Sequence, residues 1–299
     1  MLDGFKPSVT PPGADDTGTF SGQVLARLAE ELVRTGSQSG VEWNRYRLAT
    51  HFQPIFCVRR GSCLGYEALV RPSDLDGNEL RPEQLVLATE PERRILLDWT
   101  MRALHLRSFA MVDPGDRTLF LNVHPEAAVS DARGGRAFGD LIRYYGLVPK
   151  RVCVEILEAQ CADEGLLREA IATYRALGVS IAMDDFGISQ SNFDRLVRLR
   201  PDVVKIDRSL LANAAIAEAR ARRMLAALVE LLHEANARVA IEGIETAAEA
   251  RIAIEAKADY LQGFHFCSPH AGLPDEAAGN ARLAEVLGDR GGRARLHIA

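Results

Sequence analysis

A chain of 299 residues, 47 % hydrophobic and 26 % charged, is long enough for one large α/β barrel or two ordinary domains around an ample core. Its 36 basic and 41 acidic residues leave a net charge of −5, which argues against a general binder of DNA, RNA or anionic membrane. There is no apolar run of the ~18 residues a membrane span needs and no signal-peptide order at the start, while five cysteines without a Cys-x-x-Cys pair suggest neither a zinc ribbon nor a disulfide framework, so a reduced, cytoplasmic chain is expected.

Residues 1–40 read as a disordered leader followed by a linker or docking helix. Pro7 to Gly22 is rich in Pro, Gly, Thr and Asp. Val24, Leu25, Leu28, Leu32 and Val33 then recur at helical spacing, with Gly36 as a stop. From 41 to 271 short apolar, β-branched stretches alternate with amphipathic ones. The predicted strands are His51–Val58, Ser62–Val70, Arg117–Val123, Arg151–Leu157, Val179–Asp185, Asp202–Asp207, Arg238–Glu242 and Asp259–Phe266. Between the later strands, Leu167, Ala170, Ile171 and Tyr174 mark one helical face, ended by Gly178. Met224, Leu225, Leu228, Val229 and Leu232 mark another, and Thr246-Ala247-Ala248-Glu249 is a capping box that opens a third helix. Residues 272–299 read as a tail with one short helix near Ala281–Leu287. The alternation predicts an α/β fold, a (β/α)8 barrel, with a doubly wound open sheet as the alternative.

The first two predicted strands are joined by Arg59, Arg60, Gly61 and Ser62, far too short for a parallel crossover of a dozen or more residues. They must form an antiparallel hairpin, so the barrel is expected to carry one reversed strand. Cys57 and Cys63 flank that turn and are expected as buried thiols.

In a barrel of this kind the open rim lies where strands end. The strand ends in order give Glu67, Asn122, Glu155, Asp184 with Asp185, Lys205 with Asp207, Glu242, and Gln262. A single acid there is an ordinary loop or cap residue, but closure into a ring gathers six carboxylates against one ammonium. So many like charges in one cleft must either protonate in part or bind cations. Carboxylate and amide oxygens without histidine suit Mg²⁺, Mn²⁺ or Ca²⁺. Adjacent Asp184 and Asp185, joined by acids from across the ring, suit two ions that clamp a phosphoryl group, with Lys205 orienting water or offsetting charge. A phosphodiester is the substrate class these residues favour.

The segment Gly65-Tyr66-Glu67-Ala68-Leu69-Val70-Arg71 resembles the signature of the EAL domains, cyclic di-GMP phosphodiesterases of bacterial signalling. The resemblance runs on through Gln53-Pro54-Ile55, Leu121-Asn122-Val123, Glu155-Ile156-Leu157-Glu158 and Asp184-Asp185-Phe186-Gly187. It continues through Val204-Lys205-Ile206-Asp207, Glu242-Gly243-Ile244-Glu245-Thr246 and Gln262-Gly263-Phe264. It implies a modified TIM barrel with an antiparallel first strand, a homodimer, and hydrolysis of cyclic di-GMP to the linear dinucleotide with two Mg²⁺ or Mn²⁺ ions. Carried over, Glu67, Asn122, Glu155, Asp184, Asp185 and Glu242 resemble the metal shell. Lys205 resembles the lysine at the catalytic water, and Asp207 sits at a family active-site position. Gln53, Leu69, Arg71, Gln262 and Pro269 resemble substrate-binding positions, with Arg71 on a phosphate. Glu158 and Ser191 resemble the pair that braces the loop after Asp185.

That loop departs from the family pattern. It reads Ile188-Ser189-Gln190-Ser191-Asn192 where Thr-Gly-aromatic-Ser-Ser is usual, and Leu157 replaces a threonine. The change at Ser189 removes a permissive glycine. An alternative reading follows, an EAL domain of weak or no activity that serves as a cyclic di-GMP receptor or protein-interaction module.

Overall fold

The computed structural model describes residues 22–35, 40–112, 115–134, 137–156, 163–187, 192–216 and 219–294. Helix α1 (Gly22–Thr35) and the short strand β1 (Val41–Trp43) precede the expected hairpin of β2 (Tyr46–Cys57) and β3 (Ser62–Asp74). The hairpin is antiparallel from Tyr46↔Asp74 to Cys57↔Ser62, and Gly61 N–H closes its turn on the Cys57 carbonyl at 2.9 Å. Both strands outrun the sequence reading, because the buried–exposed alternation continues back through Thr50, Leu48 and Tyr46.

Helices and strands then alternate. Helices α2 (Pro82–Leu87) and α3 (Arg94–Val112) lead to β4 (Thr118–Val123), and α4 (Pro125–Gly134) and α5 (Ala137–Tyr144) lead to β5 (Val152–Ile156). Next come α6 (Glu164–Leu177), β6 (Ser180–Phe186), α7 (Asn192–Leu199) and β7 (Val203–Ile206). Helices α8 (Arg208–Ile216) and α9 (Ala219–Glu234) precede β8 (Arg238–Ile241), and α10 (Ala247–Glu255) precedes β9 (Tyr260–Leu261). The two-residue strand β10 (His270–Ala271) and α11 (Glu276–Ala294) complete the order. Strands β3 to β9 run parallel in sequence order, and β9 closes antiparallel on β2 through Phe56↔Leu261 and Cys57↔Tyr260. The fold is an α/β barrel of the TIM type with one inverted strand, β2. Cys57 and Cys63 are buried free thiols. Among the described residues no helix is long and apolar enough to cross a membrane.

Two expectations need correction. The apolar run Asp259–Phe266 is a strand only at Tyr260–Leu261. At Gly263 the backbone passes so close to Ile244 that a Cβ would lie 2.1 Å from its carbonyl oxygen, and the amides of Phe266 and Cys267 fold back onto the Gly263 carbonyl. The helix expected near Ala281–Leu287 begins earlier and ends later, as α11. It packs across the β2–β3 hairpin, where Glu276 takes both Arg117 nitrogens (2.8 and 2.6 Å) and the Tyr66 hydroxyl, and Asn280 accepts the Cys63 amide at 3.0 Å. Of the two roles expected for helix α1, linker or docking element, the structure shows docking. Its Ala29 and Val33 are buried against α3, whose Arg107 donates to the Val33 carbonyl at 2.6 Å.

Helix α3, absent from the sequence reading, carries a polar device into the core. The Arg102 guanidinium is fully buried, stacked 4.7 Å from the Trp99 ring centre and 5.3 Å from that of Phe138, with its Nε 2.6 Å from Asp98 Oδ1. The other Asp98 oxygen accepts the His124 amide at 2.9 Å, two residues beyond Asn122. Asp98→Ala strands a buried cation and frees the start of α4. A loss of about 3–5 kcal/mol in urea unfolding is expected, and a change below about 1 kcal/mol would contradict this account.

Candidate active site

Side chains alternate along a strand, so each interior position has a fellow two residues away. Ile55, Phe120, Cys153, Ala182, Val203 and Ala240 form an apolar plug inside the barrel. Two residues further toward the open rim stand Gln53, Asn122, Glu155, Asp184, Lys205 and Glu242. Small and apolar below, polar above, the same alternation on six strands makes both the plug and the site.

Strand β6 adds an irregularity. Its register against β7 advances from Met183↔Val204 to Phe186↔Ile206, one extra residue on β6, and Asp185 takes the left-handed backbone with φ 54°. A bulge of this kind re-aims side chains at a strand end.

Lys205, 1 % exposed, is the hub. Its Nζ lies 2.6 Å from Glu242, 2.8 Å from Glu155, 3.3 Å from Glu67 and 3.4 Å from Asp184. Glu67 is braced further. Asn122 Nδ2 donates to its Oε1 at 2.9 Å and Gln262 Nε2 to its Oε2 at 2.7 Å. Gln262 also donates to Gln53 Oε1 at 3.3 Å, and Gln53 in turn donates to the Cys267 carbonyl at 3.3 Å.

These contacts sort the protons. Burial works to raise the Glu67 carboxyl, but Lys205 and the two amides outweigh it and hold the group below its usual range. Glu155 goes the other way. Burial first, then the charge of Glu67, pushes it well above normal, and Glu242 is raised to about 8 by burial against the partial relief of Lys205. Burial works to lower Lys205, but the surrounding carboxylates more than reverse it, so it stays charged. Nearby His105, whose Nδ1 is 2.8 Å from the Thr50 hydroxyl, is driven down to about 3 by burial and stays neutral.

The donor set fits hard cations. Glu155 Oε2, Asn122 Oδ1 and Gln262 Oε1 are buried and accept no hydrogen bond among the described residues, and hard oxygens are what divalent ions of the Mg²⁺ and Ca²⁺ kind require. As placed, the carboxylates gather on the Lys205 ammonium. Among the described residues no three acidic, cysteine or histidine side chains are set about a common open point.

A cavity of about 210 Å³ opens above this ring, lined by Gln53, Glu67, Glu242 and Gln262 and by Arg208, Glu245 and Phe264. None of the last three is among the expected site residues, although Glu245 and Phe264 lie inside the EAL-like motifs. Arg208 is marked by position alone, directly after Asp207 beyond the end of β7, whereas motif membership marks Glu245 and Phe264.

The EAL domain family model matches residues 40–269. The chain belongs to the EAL domain family. A probable cyclic di-GMP phosphodiesterase, PdeB of Escherichia coli (strain K12), is 26 % identical over 226 residues, covering 73 % of this chain and 42 % of that protein. A standalone EAL protein from Vibrio cholerae O395, solved bound to c-di-GMP, is 25 % identical with a TM-score of 0.71, covering 80 % of this chain and 99 % of that one. The Bacillus subtilis YkuI protein, solved with substrate c-di-GMP and calcium, is 26 % identical, also with a TM-score of 0.71, covering 83 % of this chain and 63 % of that one. The chain spans between 30 % and 42 % of the length of the first curated relatives it matches.

The remaining positions of the EAL signature are spread more widely. Asp207 Oδ1 accepts the Ser209 amide at 2.8 Å and so caps α8. Arg71 lies half-buried on β3 with Nη1 3.1 Å from the Val70 carbonyl, and Leu69 and Pro269 are half-buried. Leu157, Glu158 and the loop 188–191, including Ser191, lie outside the described residues.

Proposed function

We propose that this EAL domain hydrolyses one phosphodiester bond of cyclic di-GMP to the linear dinucleotide. Four carboxylates drawn onto one buried lysine at the C-terminal ends of the barrel strands carry this reading. Glu67, Asn122, Glu155, Asp184, Asp185 and Glu242 would hold two divalent cations, Mg²⁺ or Mn²⁺. Bound there, they supply Lewis acidity toward phosphoryl oxygens and make water more acidic. The names and ligands of PdeB, YkuI and the Vibrio protein support the substrate class.

The residues of the chain divide the remaining work. Asn122 and Gln262 fix the Glu67 carboxylate in place and, after Lys205, help to keep it ionised. Lys205 is a permanent cation that orients water and offsets charge that develops on the phosphoryl group. Asp207, fixed at the start of α8, lies two residues beyond it. Gln53, Leu69, Arg71, Gln262 and Pro269 bind the nucleotide, with Arg71 on a phosphate. Glu158 and Ser191 brace the loop after Asp185. A homodimer in a reducing, cytoplasmic setting belongs to the same reading.

Incubation with cyclic di-GMP and Mn²⁺, followed by chromatography of the products, tests the proposal. Linear dinucleotide that disappears with EDTA supports it. Binding without product identifies a receptor instead.

Protonation gives a separate check. Glu242, titrating near 8 and ordinarily near 4.5, must lose its proton to bind a cation. Mn²⁺ affinity is therefore expected to climb from pH 6 through about 8, with proton release seen by calorimetry in buffers of different ionisation enthalpy. The sign for stability without metal is opposite. The contribution of a raised acid is complete below pH 4.5 and fades as pH rises to about 8. Mn²⁺ affinity that is flat from pH 6 to 8, with no proton release, would contradict this assignment.

A further inference from the structure

We propose that Arg208 is a specificity residue of this site, exchanging the Glu245 carboxylate for the phosphate of the bound nucleotide that is not being cleaved. The inference rests on the cyclic di-GMP reading above and names a contact that reading leaves open.

One phosphate of a dianionic substrate would meet cations held in the ring, but the rest of the cavity wall is rich in acids. Glu67, Glu242 and Glu245 line it, and the Lys205 ammonium beneath is already surrounded by four carboxylates. Among the described residues that line the cavity, Arg208 brings the one guanidinium. It pairs with Glu245, and the side chains are 48 % and 42 % exposed. So exposed an ion pair is screened and weakly held. A phosphate offers the planar fork two parallel hydrogen bonds at no greater cost in desolvation.

The arrangement is built to keep the stem still and the head mobile. Gly243, at φ 65°, lies directly under the Arg208 side chain, and a Cβ there would come within 2.5 Å of Arg208 Cβ and 2.8 Å of its Cδ. The missing side chain thus makes the bed on which the arginine stem lies across the mouth. On the other side, the Glu245 amide donates to Glu249 Oε2 at 2.8 Å, which anchors the Glu245 backbone to the first turn of α10. The pair therefore bridges the loop after β7, which follows Lys205, and the loop after β8, which carries Glu242. Cyclic di-GMP has two phosphodiesters. With one at the buried acidic ring, the half-exposed head of Arg208 at the rim faces the other.

The two partners are then expected to act with opposite sign. With the Ca²⁺-loaded protein, Arg208→Ala weakens cyclic di-GMP binding on the order of tenfold to a hundredfold, the scale of losing a charged hydrogen-bond partner. With Mn²⁺ it raises KM by a similar factor and changes kcat by less than about threefold. Glu245→Gln, which releases the guanidinium, tightens binding a few-fold at low salt, and most of that gain disappears in the Arg208→Ala background. Arg208→Lys recovers part of the lost affinity, as a point charge without the fork. If both single variants weaken binding, the pair is a strut between loops and the proposal fails. It fails equally if Arg208→Ala binds and turns over as the parent does. A parent protein that neither binds nor cleaves cyclic di-GMP overturns the functional reading itself, and this contact with it.

Discussion

Glu67→Ala is expected to lower cyclic di-GMP turnover by at least about a thousandfold, the scale on which preorganised electrostatic groups act, while the protein still folds. Glu67 is where the site's polar contacts meet. One oxygen holds Asn122, and the other holds Gln262 and lies 3.3 Å from Lys205. Removing it takes away a carboxylate kept ionised at neutral pH and releases both amides that define its direction. Glu67→Gln keeps the volume and one acceptor but loses the charge, so it separates shape from electrostatics and is expected to be nearly as inactive. Steady-state rates with Mn²⁺, beside circular dichroism melts, give the answer. A folded Glu67→Ala protein that turns over at the parental rate would show that the carboxylate ring is not the site.

Lys205→Met is expected to have the largest effect on the metal-free fold. Four carboxyl groups, the ionised Glu67 among them, then share a buried space with no counter-charge, and breaking one partner out of a buried ionic cluster costs about 3–5 kcal/mol. The loss grows with pH. With Lys205 present Glu242 already keeps its proton up to about 8 and Glu155 is raised well above the ordinary range; without the ammonium both rise further, so as pH climbs the folded variant must hold extra protons or bury negative charge. On the proposed function divalent cations held by the ring would supply the missing positive charge, so saturating Mn²⁺ is expected to restore much of the stability but not the turnover, which on that proposal also needs the ammonium to orient water. Urea unfolding with EDTA and with Mn²⁺, at pH 6 and 9, tests each part. A variant as stable as the parent in EDTA at pH 9 would refute the electrostatic account.

Much of this site was legible in the chain. Glu155, Asp184, Lys205 and Glu242 each follow an uninterrupted apolar stretch. A parallel strand buried on both faces writes such a stretch with no alternation to confuse it. The reversed β2 followed from chain length alone, because the residues from Arg59 to Ser62 cannot cross over a sheet. Other elements left weaker marks. Helix α3 buries Asp98, Thr100, Arg102 and His105 along with its leucines, so no polar stripe revealed its period. The segment after Leu261 has the apolar residues of a strand, yet a close backbone approach at Gly263 turns it away. Arg208 and Glu245 stand 37 positions apart, in segments that read as loop and cap.

Sequence order, the hairpin and the placing of acids after apolar strands are local properties of the chain, set by period, spacing and turn length. The distribution of protons and charges among those acids is not. It depends on how far each carboxyl lies from one ammonium and from water, and those distances exist only once the barrel has closed.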